Sequence, residues 1–232
     1  MFRPENSHRF TLLDPIYGMP VRQGPLPLDL HRPIRFVPGS GLAVIGIVDA
    51  NNVRMTRLAQ LGTEWTRPAA AKAHGAPQVL VTRDAIIVVE DGQFAIRRDR
   101  ETGDVIWKRS LGPRPLNDAI RETALTPRAL LSVSDGMLRS LSVEDGQPMW
   151  HRHLGSGSWR IHLNRGVIVC QPDDTDAQST HRPITICDLS TGHLIQRLSA
   201  PRSGRANDLL VGHNFCCVHS EASLQGFVPF AD

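Results

Sequence analysis

Lysine is nearly missing from this 232-residue sequence. Lys72 and Lys108 are the only two among its 26 basic residues, and arginine carries the rest. The arginines are spread along the chain, and the densest cluster, Arg97-Arg98-Asp99-Arg100, contains its own counter-charge. A nucleic-acid footprint is a patch or stripe of cations, so no nucleic-acid partner is expected and the net charge of +3 reads as dispersed, solvated surface charge. No apolar run approaches the roughly 18 residues of a membrane-spanning helix. The opening residues Met1-Phe2-Arg3-Pro4-Glu5-Asn6 lack the apolar core of a secretory signal. The expectation is a soluble, cytoplasmic protein with no membrane span. Cysteine is scarce and unpatterned: Cys170, Cys187, Cys216 and Cys217 form no C-x-x-C and no paired zinc half-site. All four lie in or beside apolar runs, where a free thiol behaves as a small buried hydrophobe. Convincing helical periodicity is missing too, and Asn117 to Leu125 is the one stretch read as a helical turn. Aromatics are few, with one Tyr against four Trp, so the placement of each Trp carries information.

Glycine and proline, at 19 and 17, are raised, as a fold with many turns requires. The clearest internal match sets Asp84 to Gly112 against Arg128 to Gly155. Each runs from an apolar strand through an Asp-Gly turn and a second strand to an acidic-plus-Gly turn, then to a strand carrying Trp and ending in Leu-Gly. Trp107 and Trp150 each stand four residues after their turn glycines, Gly103 and Gly146. Fainter copies fall in phase: Gly192 with Gln196 in the Trp position, Gly62 with Trp65 one residue early, and Gly18 with Arg22 where Trp would stand. The glycines 18, 62, 103, 146 and 192 are separated by 44, 41, 43 and 46 residues, about one blade of a β-propeller.

Local chemistry agrees with that period. Asp91-Gly92 and Asp135-Gly136 sit between apolar runs, a strong signal for type I′ hairpins, and Asn51-Asn52 can serve likewise. Ala85-Ile86-Ile87-Val88-Val89 and Gly166-Val167-Ile168-Val169-Cys170 are continuous apolar runs, as expected of strands buried on both faces. In the third unit four strands are expected: Gln78 to Thr82, Ala85 to Glu90, Gln93 to Arg100 and Asp104 to Leu111. A β-sandwich also has short strands at steady intervals but does not predict a recurring Trp. The fold class is therefore all-β, a propeller of about five four-stranded blades over residues 1–232 as one domain, either a closed five-blade ring or an arc of a larger propeller. Phe10 to Asp14 and Met19 to Gln23 read as the last two strands of a blade, Asp208 to His213 and Asn214 to His219 as the first two. The four together would close the ring, and Ser223 to Asp232 fits no clean strand.

The segments Gly103-Asp104-Val105-Ile106-Trp107 and Gly146-Gln147-Pro148-Met149-Trp150 resemble the repeat of pyrroloquinoline-quinone (PQQ)-type, quinoprotein alcohol dehydrogenase-like propellers, with a D-x-x-T-G turn before a strand that carries Trp. The resemblance implies that Trp107, Trp150 and, more loosely, Trp65 pack between neighbouring blades with the indole N–H tied to backbone. Gln196 and Arg22 depart from the pattern. Such repeats occur in quinone-dependent dehydrogenases, in an outer-membrane assembly lipoprotein and in binding domains, so the resemblance implies a fold more than an activity.

Candidate chemistry is thin. Cys216-Cys217 could form a vicinal disulfide of the kind some quinone-dependent dehydrogenases place against the cofactor. Strand alternation sends the two side chains to opposite faces, and bridging them would distort the strand. His151 and His153 share a strand face and could be half of a metal site, with no third ligand evident. Asp49, Asp91 and Asp135, and Asp14, Glu101 and Asp145, recur near turns. Paired carboxylates about 5 to 9 Å apart serve glycoside hydrolysis, but recurrence in every unit points to turn geometry. The polar insertion Gln171 to Arg182 holds Asp173, Asp174 and Asp176, a candidate ligand loop. No catalytic residue, metal site or cofactor is assigned; PQQ and calcium are what the resemblance would bring. The expected function is a non-enzymatic binding or scaffold propeller that presents loops to a protein or small-ligand partner. The alternatives are a PQQ-dependent oxidoreductase, or a fragment of one, and a carbohydrate-acting five-bladed propeller.

Overall fold

The computed structural model describes residues 9–13, 19–25, 34–38, 43–49, 52–57, 62–68, 77–90, 92–112, 122–164, 166–172, 183–198, 208–211, 216–220 and 223–227. All regular structure among them is β. The chain divides into two compact units, Met1–Pro113 and Arg114–Asp232, each built of antiparallel sheets whose strands follow one another in sequence.

In the first unit β1 (Arg9–Leu13) pairs with β2 (Pro20–Pro25). Two four-stranded sheets follow: β3 (Arg35–Val37), β4 (Ala43–Asp49), β5 (Asn52–Arg57), β6 (Gly62–Pro68), then β7 (Gln78–Val81), β8 (Ile86–Glu90), β9 (Phe94–Arg98), β10 (Val105–Ser110). The second unit holds β11 (Glu122–Leu125), β12 (Ala129–Ser134), β13 (Met137–Ser142), β14 (Pro148–His153), and then β15 (Trp159–Asn164), β16 (Val167–Pro172), β17 (Ile184–Asp188), β18 (Leu194–Leu198). A three-stranded sheet of β19 (Asp208–Val211), β20 (Cys216–Ser220) and β21 (Ser223–Phe227) completes it. These four-stranded meanders are propeller blades, and the strands expected for the third repeat agree with β7 to β10 to within two residues at each end.

Burial follows position in the blade. β8 and β12 are buried along their whole length, as continuous apolar runs require when both faces are covered. The fourth strands β10, β14 and β18 are exposed apart from one or two side chains, whereas β6 keeps Glu64 to Arg67 buried or half-buried. One core joins Val37, Ala43, Ile45, Val53, Met55 and Trp65 of the first four-stranded sheet to Val79, Ile86 and Val88 of the next. Its counterpart in the second unit joins Leu131, Val133 and Leu138 to Trp159, Ile161, Ile168 and Cys170. Each fully buried Ile or Leu contributes about 1.5–3 kcal/mol, so adhesion between neighbouring sheets is mainly apolar.

Turn chemistry sets the register. Asp135 and Gly136 have φ of 49° and 68°, the two left-handed residues of a type I′ hairpin, and Ser134 pairs Met137 across them. At the other expected Asp-Gly hairpin, Gln93 N–H donates to Glu90 O at 3.0 Å. The register there pairs Glu90 with Phe94, so that loop holds three residues, not two. A second hairpin signal went unread in the sequence: Thr82 and Thr126, 44 residues apart, each accept on Oγ1 from the backbone N–H three residues on, at 3.1 Å and 2.8 Å.

Every last strand pair of a sheet, β19–β21 excepted, carries a β-bulge just before the Trp position. The register skips Val21 in β2, Glu64 in β6, Ile106 in β10, Met149 in β14 and Ile195 in β18. The bulge places Trp65 in phase with Trp107 and Trp150, so in the first blade the glycine is out of step rather than the indole. Gly62 is the first residue of β6, opposite Arg57.

Two expectations need correction. Glu122–Leu125 is strand β11, paired along its length with β12; the ladder supplied by the apolar neighbour overrides a weak local preference for helix. Ser223–Phe227 is strand β21, paired with β20, where a short stretch containing Gly226 gave little local strand signal. The sheets at the two ends of the chain therefore hold two and three strands, one more in total than the single closing blade expected from the sequence has places for.

Candidate functional site

The D-x-x-T-G turn is a self-contained carboxylate cap. Asp99 Oδ1 accepts from the backbone N–H groups of Glu101 and Thr102 at 2.9 Å and 2.8 Å, and Gly103 N–H donates to Asp99 O at 3.0 Å. Asp188 does the same with Ser190 and Thr191 and also accepts from both of their hydroxyls, at 2.6 Å and 2.8 Å. Ser142 replaces Asp in the turn that ends at Gly146. These bonds hold Asp99 below the ordinary carboxylate range, the Thr102 amide foremost, and Asp188 likewise, its Ser190 side-chain bond foremost. Glu101 and Asp145 are exposed in the same turns. In these turns Asp99 and Asp188 serve backbone geometry.

The turn is the seat of the indole. A Cβ built on Gly103 would lie 2.5 Å from Trp65 Cδ2, and one on Gly192 2.7 Å from Trp150 Cδ2. Within each unit, then, the Trp of one sheet lies flat on the turn glycine of the next. Trp65 Nε1 donates to Arg100 O at 2.9 Å, whereas Trp150 Nε1 has no acceptor among the described residues. Trp107 is buried. A partner to the indole went unread in the sequence: an arginine two residues after each Trp (Arg67, Arg109, Arg152). Arg67 reaches Asp104 at 2.9 Å, and Arg152 Nε donates to Gly192 O.

Between β6 and the sheet β7–β10 this seam opens into a groove of about 350 Å³. Arg67 and Pro68 line one side; Glu90, Ile96, Arg98, Asp104, Val105 and Lys108 line the other. The pleat explains the set: Glu90, Ile96, Arg98 and Lys108 occupy cross-strand positions on one face, with Ile96 opposite Lys108 and Arg98 opposite Val105. Glu90 is 1% exposed and Arg98 4%, which corrects the reading of the 97–100 cluster as solvated charge. Alternation on an inner strand turns Arg98 into the seam while Arg97 takes the other face. Arg98 Nη1 donates to Gly103 O at 2.9 Å and Nη2 to Pro68 O. Both acceptors are neutral, and its Nε finds none among the described residues. Burial draws the guanidinium below its ordinary range, opposed by nearby Glu90. Lys108 Nζ lies 3.4 Å from Glu90 Oε2 and 4.7 Å from the centroid of the Phe94 ring. A bond from the Thr102 side chain, then one from Arg67, holds the Asp104 carboxyl low. Val105 forms an apolar lip, 53% exposed.

The other described candidates are not among the residues that line this groove. His151 and His153 are exposed on β14, and no group of three His, Cys, Asp or Glu side chains among the described residues could hold a metal ion. Cys170 and Cys187 are buried free thiols. Cys216 and Cys217 are successive residues of β20, opposite Val211 and Leu210. Gly18, Asp14, Asn51, Asp91, Asp173, Asp174 and Asp176 lie outside the described residues, and no helix among those described is long and apolar enough to cross a membrane.

Comparison with known proteins places this geometry. The profile of a family described as outer membrane protein assembly factor BamB matches residues 56–226. The chain belongs to that BamB-type family of PQQ-like propeller repeats. No curated protein matches the sequence. Among solved structures, BamB from Moraxella catarrhalis is similar at a TM-score of 0.52 and 12% identity, over 91% of this chain and 77% of that one. Kluyveromyces lactis Hsv2 is similar at a TM-score of 0.65 and 11% identity, over 92% and 65%. Kuenenia stuttgartiensis hydrazine synthase is similar at 0.56 and 11%, over 80% and 54%. At such identities these neighbours show the shared propeller fold alone.

Proposed function

We propose that this BamB-type propeller is a non-enzymatic binding or scaffold protein that engages a protein partner through the groove between its first two four-stranded sheets. The observation that carries the reading is the groove itself, open, with exposed apolar Val105 at its edge beside charged side chains that are already paired or bonded to backbone. Exposed apolar surface rimmed by polar groups marks interaction sites. General acid–base work near pH 7 needs a group tuned towards neutrality, and Asp104 is tuned away from it. The family's description, an assembly factor for outer membrane proteins, names work done on other proteins.

The test is a random dodecapeptide display selected on the full chain and counter-selected on Val105→Trp, which fills the groove. Enriched peptides that bind the parent and not the variant are expected. A library that enriches nothing, together with dye reduction after loading with PQQ and calcium, overturns the reading in favour of the quinone-dependent oxidoreductase.

A further inference from the structure

Building on that binding role, we infer that the groove selects an acidic partner segment, seating one carboxylate side chain between Arg98 and Lys108 with an apolar neighbour against Val105. The charges support this. Three cations, Arg67, Arg98 and Lys108, face two carboxylates, Glu90 and Asp104. Arg67 is matched with Asp104 at 2.9 Å and Lys108 with Glu90 at 3.4 Å. Among the described residues Arg98 is bonded only to the carbonyl oxygens of Gly103 and Pro68, so one positive charge in a desolvated wall has no bonded counter-ion there. A guanidinium so placed attracts a planar anion strongly.

The surplus is a single charge, which matches a carboxylate. A phosphomonoester brings about −1.5 to −2 and would stand against Glu90 and Asp104 with charge left over. Lys108 is the adaptable member: its side chain is 45% exposed, its 3.4 Å contact with Glu90 is long for a charge-assisted bond, and it can swing from the Phe94 ring to an incoming oxygen. Pro68, Ile96 and Val105 supply dry walls, and a volume near 350 Å³ falls at the small end of ligand pockets, suited to one or two side chains and not to an extended ligand.

The probe is a fluorescein-labelled dodecapeptide of alternating Leu and Glu, with the Leu-Gln peptide as control, followed by anisotropy on the full chain. The Glu probe is expected to bind about 10-fold more tightly at 50 mM NaCl, with the advantage shrinking towards 300 mM as screening grows. Lys108→Gln should weaken the Glu probe by about 3- to 10-fold, and Glu90→Gln should tighten it by about 2- to 3-fold because it removes the competing carboxylate. Since Glu90 is buried, the exposed-lip variant Val105→Trp gives an independent check and should abolish binding of the Glu probe. Equal affinity for the two probes, or indifference to both Lys108→Gln and Val105→Trp, overturns the inference. Competition by inorganic phosphate that is stronger than competition by acetate also overturns it, in favour of a phosphorylated ligand. Display peptides that lose binding on Val105→Trp yet carry no Asp or Glu would sink the acidic specificity and leave the binding role standing.

Discussion

In the first unit Trp65 closes over the turn at Gly103 and bonds to it through Arg100 O; in the second, Trp150 closes over the equivalent turn at Gly192 and its indole N–H finds no acceptor among the described residues. The arginine two residues on clamps each turn, but Arg67 does so through a carboxylate and Arg152 through a backbone carbonyl. Inside the seams the contrast is larger. The residue just before the turn aspartate is Arg98 in one sheet and Cys187 in the other, a buried cation against a buried thiol. The packing plan is thus common to both units, while the polarity of each seam is free to vary. Steric fit between indole and glycine tolerates no substitution, whereas the position beside it accepts any group whose burial is compensated.

The comparison predicts its own breaking points. The largest effect belongs to what the seams share: Gly103→Ala and Gly192→Ala each drive a methyl into an indole and force a side chain to φ near +70°. Each should cost about 3 kcal/mol in urea unfolding, and a cost below about 1 kcal/mol would show that the indole is not seated there. Next comes what they do not share. Trp65→Phe removes a made hydrogen bond and Trp150→Phe does not, so the first should be worse by about 1 kcal/mol; equal costs would mean that Trp150 is bonded in solution.

The caps differ by less. Asp188 holds two hydroxyls and two amides, where Asp99 holds two amides and a lesser contribution from the Thr102 side chain, so Asp188→Ala should cost about 1–2 kcal/mol at pH 7 and Asp99→Ala about 1. Both carboxyls are depressed in the folded state. The stability they add is therefore complete above the ordinary carboxylate value near 3.9 and lost as pH falls through the lower folded values. The variants' deficits should shrink below about pH 4, and deficits that stay constant in acid would place their cause outside the ionised carboxylate. The smallest change is no change at all. Burial pushes the Cys170 and Cys187 thiols up, so a Cys216→Ala/Cys217→Ala variant should give no colour with Ellman's reagent until denaturant is added. Prompt reaction would show that the Cys187 seam opens in the native state.

The blades were legible in the sequence because their signals are local: Asp-Gly at a hairpin tip, an Asx cap before a glycine, an apolar run as long as a strand. Asp135-Gly136 and the Gly103 turn need only their own residues to be recognised. The groove was not legible, because its chemistry is set by what lies opposite. Arg98 reads as one of three clustered arginines until the ladder turns it towards Pro68, and Glu90 reads only as the last residue of its strand until Lys108 arrives from the fourth strand. β11 and β21 were missed for the same reason, since each owes its conformation to a neighbour's hydrogen bonds. The Trp-x-Arg pairing could have been found, as it recurs in three copies at fixed spacing. It was passed over because arginine is common throughout the chain.

The bulge before each indole has an arithmetical effect on the fourth strand. In a regular strand, residues two apart share a face, yet Val105 stands opposite Arg98 and Trp107 opposite Arg97, and those two partners look in opposite directions. One extra residue, Ile106, reverses the count. A single outermost strand can thereby present its entrance residue on one face of the sheet and its indole on the other, and removing Ile106 alone would place both on the same face.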